Sequence, residues 1–247
     1  RVGENGLGES VWLAWFLCTV TDAFVPLAQR RGDAERVDHW RLAARGWHTA
    51  LAGPAWDGAW FKRAFFDDGT PLGTHDAVEC RIDLIAQAWS VLSGAATPER
   101  QRAAMAAVAE LLVDDDAGLN RLLTPPLQHM VPSAGYIQAY PPGVRENGGQ
   151  YSHAGVWKLM AQAQLGDGDG AYRTFTQLSP AHRNANARQK VAYALEPYVM
   201  AGDIYSEAPY VGRGGWSWYT GSAAWMHRAA IESILGLEVR ANRVCLR

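Results

Sequence analysis

Two glycine- and aromatic-rich segments, Tyr140-Pro-Pro-Gly-Val-Arg-Glu-Asn-Gly-Gly-Gln-Tyr-Ser-His153 and Gly212-Arg-Gly-Gly-Trp-Ser-Trp-Tyr-Thr-Gly-Ser222, each run directly into an apolar stretch with helical spacing. Elsewhere the apolar residues also recur at helical intervals, and no strand series alternates well enough to build a sheet. Such a chain must pack helices against helices. Glycine lets the backbone turn its N–H groups inward, and a helix start adds unpaired donors and a positive dipole end. Two such starts flanked by Trp and Tyr imply a site that holds a sugar beside a phosphate.

The helical reading can be placed along the chain. Ser10 is a predicted N-cap for a helix from Val11 towards Arg31, and Asp33 for one reaching about Leu51, with Val37, Trp40, Leu42, Ala44 and Trp47 near one face. Residues 56 to 74 carry turn signals and read as an extended loop or hairpin. A third helix is predicted over Cys80 to Ser93, and Thr97-Pro98-Glu99 opens a fourth that ends before Asp114. Residues 117 to 148 read as irregular. Further helices are predicted at 152 to 165, 168 to 178, 187 to 203 and 219 to 236. The expected fold is all-α, an α/α toroid with long irregular loops at one end. A full ring needs more helices than the roughly eight predicted here, so part of the ring is expected to be missing.

Composition narrows the function. The 247 residues have a formal net charge of −2, with no basic excess to meet a phosphate backbone, which argues against nucleic acid. Cys18, Cys80 and Cys245 have no metal-ligand spacing and read as thiols of a reducing compartment. The longest apolar run, Val11 to Val20, reads as too short to span a bilayer. About two thirds of the eleven tryptophans are expected to fill core, and the others to stack on sugar rings. The chain opens at Arg1-Val-Gly-Glu without an initiator Met, as an internal piece would.

Within the two segments, Glu146 is either a solvated loop carboxylate or an acceptor for sugar hydroxyls; the adjacent Gly148-Gly149 and Tyr151 favour the second. His153 stands in the first turn of a helix, where a donor imidazole could add about 1 to 3 kcal/mol to phosphate binding. Thr220, Gly221 and Ser222 open the last helix, as caps or as anion ligands. His75, Asp76 and Glu79 lack a further ligand at metal spacing, Asp114 to Asp116 read as a solvated helix end, and Asp167-Gly-Asp169-Gly170 lacks the distal Glu of a calcium loop. No metal site and no cofactor are expected.

At these residues the chain resembles the family 94 glycoside phosphorylases, which include cellobiose and chitobiose phosphorylases and the phosphorylase-like region of cyclic β-1,2-glucan synthases. The resemblance is carried by Gly8-Glu9-Ser10-Val11-Trp12-Leu13, the two segments above and Glu196-Pro-Tyr-Val199, and runs over nearly the whole chain. It implies an (α/α)6 barrel, of which residues 1–247 would be a C-terminal portion lacking upstream helices. It also implies inverting cleavage of β-glucosidic bonds with inorganic phosphate as co-substrate. By resemblance His153, Thr220 and Gly221 match phosphate-binding positions, and Glu146 matches a contact to the acceptor sugar. The family's general acid, an Asp in an Asp-Trp-Asn-Asp-Gly-like segment, would lie upstream of Arg1. This chain would then hold no catalytic acid and would be inactive alone.

Met200-Ala-Gly-Asp-Ile-Tyr205 replaces the Gln of disaccharide phosphorylases and looks more like the β-1,2-glucan branch. The implied partners are a β-glucan oligosaccharide or glucose 1-phosphate, the remainder of the same polypeptide, and a second copy in a homodimer. The implied location is the cytoplasm or the cytoplasmic side of a membrane-bound glucan synthase. An α/α-barrel hydrolase that uses water, and a non-catalytic glucan-binding or chain-length-controlling module, stay open beside this reading.

Overall fold

The computed structural model describes residues 2–246. Helices α1 (Val11–Arg30) and α2 (Ala34–Ala52) pack as an antiparallel pair, and α1 also lies on α3 (Leu84–Leu92). After α4 (Pro98–Leu111) and the short α5 (Tyr136–Ala139) comes α6 (Ser152–Gln164), which touches α3, α7 (Gly168–Leu178) and α10 (Thr220–Ala229). Two further short helices, α8 (Pro180–Arg183) and α9 (Ala187–Tyr193), lie between α7 and α10. A tryptophan cluster seals the junction of α1, α3 and α6: Trp12, Trp89 and Trp157 have ring centroids 5.4 to 6.5 Å apart.

The three predicted caps form: the Ser10, Asp33 and Thr97 side chains accept from Leu13, Arg36 and Arg100 N–H. Asp167, for which no cap was read, also accepts from Gly170 N–H at the start of α7. Helices dominate as expected, but the all-α expectation is corrected. Between the helices, loops are tied by two-residue ladders such as Glu9–Ser10 with Ala64–Phe65 and Pro71–Leu72. The pairing of Ala64–Phe65 with Pro71–Leu72 is the hairpin that the turn signals of residues 56 to 74 allowed. In the other ladders a pair of residues has no alternation to read. The last of these is longer: Leu237–Arg240 pairs with Arg243–Leu246 in an exposed hairpin that the sequence reading missed.

Other boundaries are corrected too. The third helix starts at Leu84, not Cys80, because Cys80 and Arg81 donate to the Pro125 and Thr124 carbonyls and Asp83 then caps the helix. The helix expected over 187 to 203 stops at Tyr193, where Ala194 turns left-handed. The last helix ends at Ala229 and widens into a π-turn over Ala230–Ile234. On α2, Leu42 is exposed while Val37 and Leu51 are buried. The run judged too short for a bilayer extends through Pro26 to Arg30, long and apolar enough by length and composition to cross one. Here α1 buries Trp15, Cys18 and Val25 in the cores it shares with its neighbours.

Between α6 and α7 a buried polar network surrounds Lys158. Its Nζ donates to Asn120 Oδ1 at 2.7 Å and Thr174 Oγ1 at 2.9 Å, and Asn120 donates in turn to Gln150 and Gln177. Among the described residues no carboxylate bonds the ammonium, and burial pushes its pKa down to about 8. Between that value and the usual 10.5 the unfolded chain holds a proton that the folded one has lost, so stability rises with pH there. The wild type should gain up to about 3 kcal/mol relative to Lys158→Met from pH 8 to 10.5, read from urea midpoints of both proteins. A pH-independent difference would contradict the buried, unpaired charge. The titrating thiols and phenols are common to both proteins and cancel.

Candidate active site

The two glycine segments meet. Gln150–Tyr151 pairs antiparallel with Asp203–Ile204, whose other edge pairs with Gly214–Gly215, so Tyr151, Asp203 and Gly215 share one row. The row requires glycine at its end, since a Cβ on Gly215 would sit 2.6 Å from Asp203 Oδ1 and 2.7 Å from the Tyr205 ring. The connection before this strand fastens both helix starts. Ser152 N–H donates to Gly202 O and Ser152 Oγ to Ala201 O, while Tyr219 N–H donates to Met200 O. As a result His153 Nε2, on α6, lies 3.2 Å from the position a Cβ on Gly221 of α10 would take.

Both starts are also uncapped. Every other helix of nine or more residues has a side-chain cap, Asp83 on α3 included, whereas Tyr151 before α6 and Tyr219 before α10 make none. Their first-turn N–H groups therefore lack a side-chain acceptor and point along the positive ends of two helix dipoles. The capping role open to Thr220 and Ser222 is not taken. Ser222 Oγ instead donates to the Tyr219 carbonyl, and Thr220 and Gly221 are exposed to solvent.

Aromatic rings hold the imidazole between these starts. Tyr151 stacks on His153 at 5.7 Å, Tyr219 meets it edge-on at 5.5 Å, and Trp157 lies 6.0 Å away. Burial lowers its pKa, because a cation is poorly solvated among rings, and its buried Nδ1 has no hydrogen-bond partner. A neutral ring carrying its proton on Nε2 would be a donor at the same place as the free amides.

A cavity of about 520 Å³ opens beside this cage, lined by Glu146, Tyr151, His153 and Trp157 together with Trp12, Arg63 and Asp83. That volume suits a small ligand. Thr220 and Gly221 are not on the wall and adjoin it through His153. Glu146 is not a free loop carboxylate: Arg145 Nε donates to its Oε2 at 3.3 Å, and the same guanidinium lies over Tyr140 and Trp216. Arg145 N–H also donates to Asp203 Oδ2 at 2.6 Å, although burial still pushes that carboxyl up to about 6. In the same lining, Arg63 pairs with buried Asp83 at 3.1 Å and donates to Ser10 Oγ.

Sequence reading missed Arg145, Tyr219 and the Arg63–Asp83 pair. The first two lie inside the glycine segments and could have been flagged there; the pair joins residues twenty apart and has no local signal. The weaker candidates have structural duties. His75 contacts Asp57, and Glu79 accepts from the N–H groups of Gln128, His129 and Met130. Asp114 pairs with Arg121, and Asp167 caps α7. Among the described residues no three His, Cys, Asp or Glu side chains group as metal ligands. Arg1, the reference point for the expected upstream acid, lies outside the described residues.

Comparison with known proteins places this geometry. Residues 2–236 match the family model described as the glycosyl hydrolase 94 superfamily, catalytic domain. The chain is 48% identical over 247 residues to the cyclic beta-(1,2)-glucan synthase NdvB of Rhizobium meliloti (strain 1021), covering all of this chain and 9% of that protein. It is 32% identical to the 3-O-beta-D-glucopyranosyl-beta-D-glucuronide phosphorylase of Paenibacillus borealis, covering 97% of this chain and 31% of the relative. It is likewise 32% identical to the N,N'-diacetylchitobiose phosphorylase of Vibrio furnissii, with 94% and 29% covered. The chain thus spans a third or less of the length of these relatives. A solved structure titled "Glycosidase Wild Type" shares the fold at a TM-score of 0.56 and 16% identity, over 89% of this chain and 51% of that one.

Proposed function

The chain belongs to the glycosyl hydrolase 94 superfamily, and on that premise we propose that it is part of an inverting carbohydrate phosphorylase domain acting on β-glucosidic, specifically β-1,2, bonds. The observation that carries this reading is the convergence of two uncapped helix starts on one half-buried imidazole. Identity to a protein named a cyclic beta-(1,2)-glucan synthase supports the linkage. Similarity to named phosphorylases supports phosphate as the attacking group.

In this reading His153, Thr220 and the amide of Gly221 hold inorganic phosphate, and Glu146, fixed by Arg145, accepts hydrogen bonds from the acceptor sugar. A phosphate oxygen attacks the anomeric carbon as the bond to the leaving sugar breaks. A carboxylic acid protonates the departing oxygen, and β configuration becomes α-glucose 1-phosphate. Inverting hydrolysis needs a second carboxylate to activate water, whereas phosphate is already a nucleophile. The acid belongs to a part of the polypeptide outside this chain, which would supply the rest of an (α/α)6 barrel. Three free thiols, Cys18, Cys80 and Cys245, support a place in the cytoplasm or on the cytoplasmic side of a membrane.

The full-length polypeptide, given β-1,2-linked glucooligosaccharides and phosphate, should release α-glucose 1-phosphate and run in reverse from it. Free glucose released without phosphate would replace this reading with a hydrolase, and binding without chemistry would replace it with a glucan-binding module. Turnover by residues 1–247 alone would overturn the external placement of the acid.

A further inference from the structure

The tryptophans divide sharply by position. Trp15, Trp60, Trp89 and Trp157 are buried, and Trp12, Trp40, Trp47, Trp56 and Trp225 pack partly buried against the cores. Only Trp216 and Trp218 stand out, 65% and 64% exposed, and both lie in the second glycine segment. Each has a backbone φ in the left-handed region, 52° and 60°, which a bulky side chain rarely adopts. Strained backbone carrying an unburied large ring is not explained by packing, and such strain gathers at ligand clamps.

Neighbouring residues extend the pair. The Tyr198 ring, 74% exposed, lies 6.2 Å from that of Trp218. Arg145 sits 5.1 Å over Trp216 while its Nε bonds Glu146 on the cavity wall, so Trp216 is one side chain away from the cavity. We propose that Trp216, Trp218 and Tyr198 form an aromatic platform outside the cavity that takes the further sugar rings of an oligosaccharide acceptor of three or more units. The apolar faces of a pyranose ring suit flat, solvent-facing rings, and the polar edges of Trp and Tyr leave sugar hydroxyls their hydrogen bonds. The occupant is a neutral glycan. The inference rests on the phosphorylase reading and adds chain-length preference to it.

The test uses the full-length polypeptide with Trp216→Gly and Trp218→Gly, singly and together. Glycine suits the left-handed backbone, so the rings are removed without adding strain. The ratio of kcat/KM for a β-1,2-linked pentasaccharide to that for the disaccharide should fall at least about tenfold in the double variant. An unchanged ratio in a folded double variant overturns the platform. Titration with the pentasaccharide, followed by calorimetry, reads the same question without turnover. If the wild type turns over no glucan, the phosphorylase reading fails, but the platform still stands when the double variant loses pentasaccharide affinity and falls when it does not. Equal binding by both proteins overturns the platform.

Discussion

Replacing His153 by alanine should lower kcat/KM for phosphate about a hundredfold in the full-length polypeptide, with a much smaller change in the KM for the sugar. The magnitude follows from one charge-assisted hydrogen bond, about 1.5 to 3 kcal/mol, lost from a site sheltered by Tyr151, Tyr219 and Trp157. A purely structural role would lower stability and affect both substrates alike. His153→Asn keeps a side-chain donor and should recover part of the phosphate KM. The pH dependence has a defined sign. Burial lowers the imidazole pKa below its usual value, so the folded-state preference for the neutral ring is complete above about pH 6.5 and is lost as pH falls through that lowered value. Phosphate saturation kinetics within twofold of wild type would remove the imidazole from the phosphate site.

Asp83→Ala should cost about 3 to 5 kcal/mol of folding stability, the largest single effect expected in the scaffold. Asp83 is 2% exposed and does two things at once. Its Oδ1 accepts from the Ile85 and Ala86 N–H groups at the start of α3, and its Oδ2 pairs with Arg63. Cap loss alone is worth about 1 kcal/mol. The remainder is the cost of leaving a mostly buried guanidinium unpaired against the cavity wall. An Arg63→Met, Asp83→Asn double variant keeps a capping oxygen and removes the stranded charge, so it should regain most of the loss. Chemical denaturation of the three proteins checks this, and a cost below 1 kcal/mol for Asp83→Ala would show that the pair is not a structural unit. Because Arg63 and Asp83 line the cavity, activity should fall with stability.

Some of this molecule was readable one residue at a time. Ser10, Asp33 and Thr97 cap the helices they were expected to cap, because capping depends on a side chain and an amide two or three residues on. Glu146, His153, Thr220 and Gly221 were singled out by glycines and helix starts, and three-dimensional structure brings His153 and Gly221 into contact distance. The failures have two causes. The start of α3 and the pairing of the first glycine segment depend on backbone partners far along the chain, Cys80 with Pro125 and Gln150 with Ile204, whereas α9 ends where Ala194 turns left-handed.

The amino-acid order alone therefore determined where the helices capped by Ser10, Asp33 and Thr97 begin, which loops are rich in glycine, and which side chains could meet an anion, since each is a matter of local sterics and local hydrogen bonding. Only the tertiary structure decided that the two loops hang from one short strand at 203–204, so that two dipole ends and one ring share a place. It also decided which two of eleven tryptophans stay in water. The first joins a pairing of residues more than fifty apart, Tyr151 with Asp203, to a nearer one, Asp203 with Gly215, and both outcomes follow from how the whole core closes.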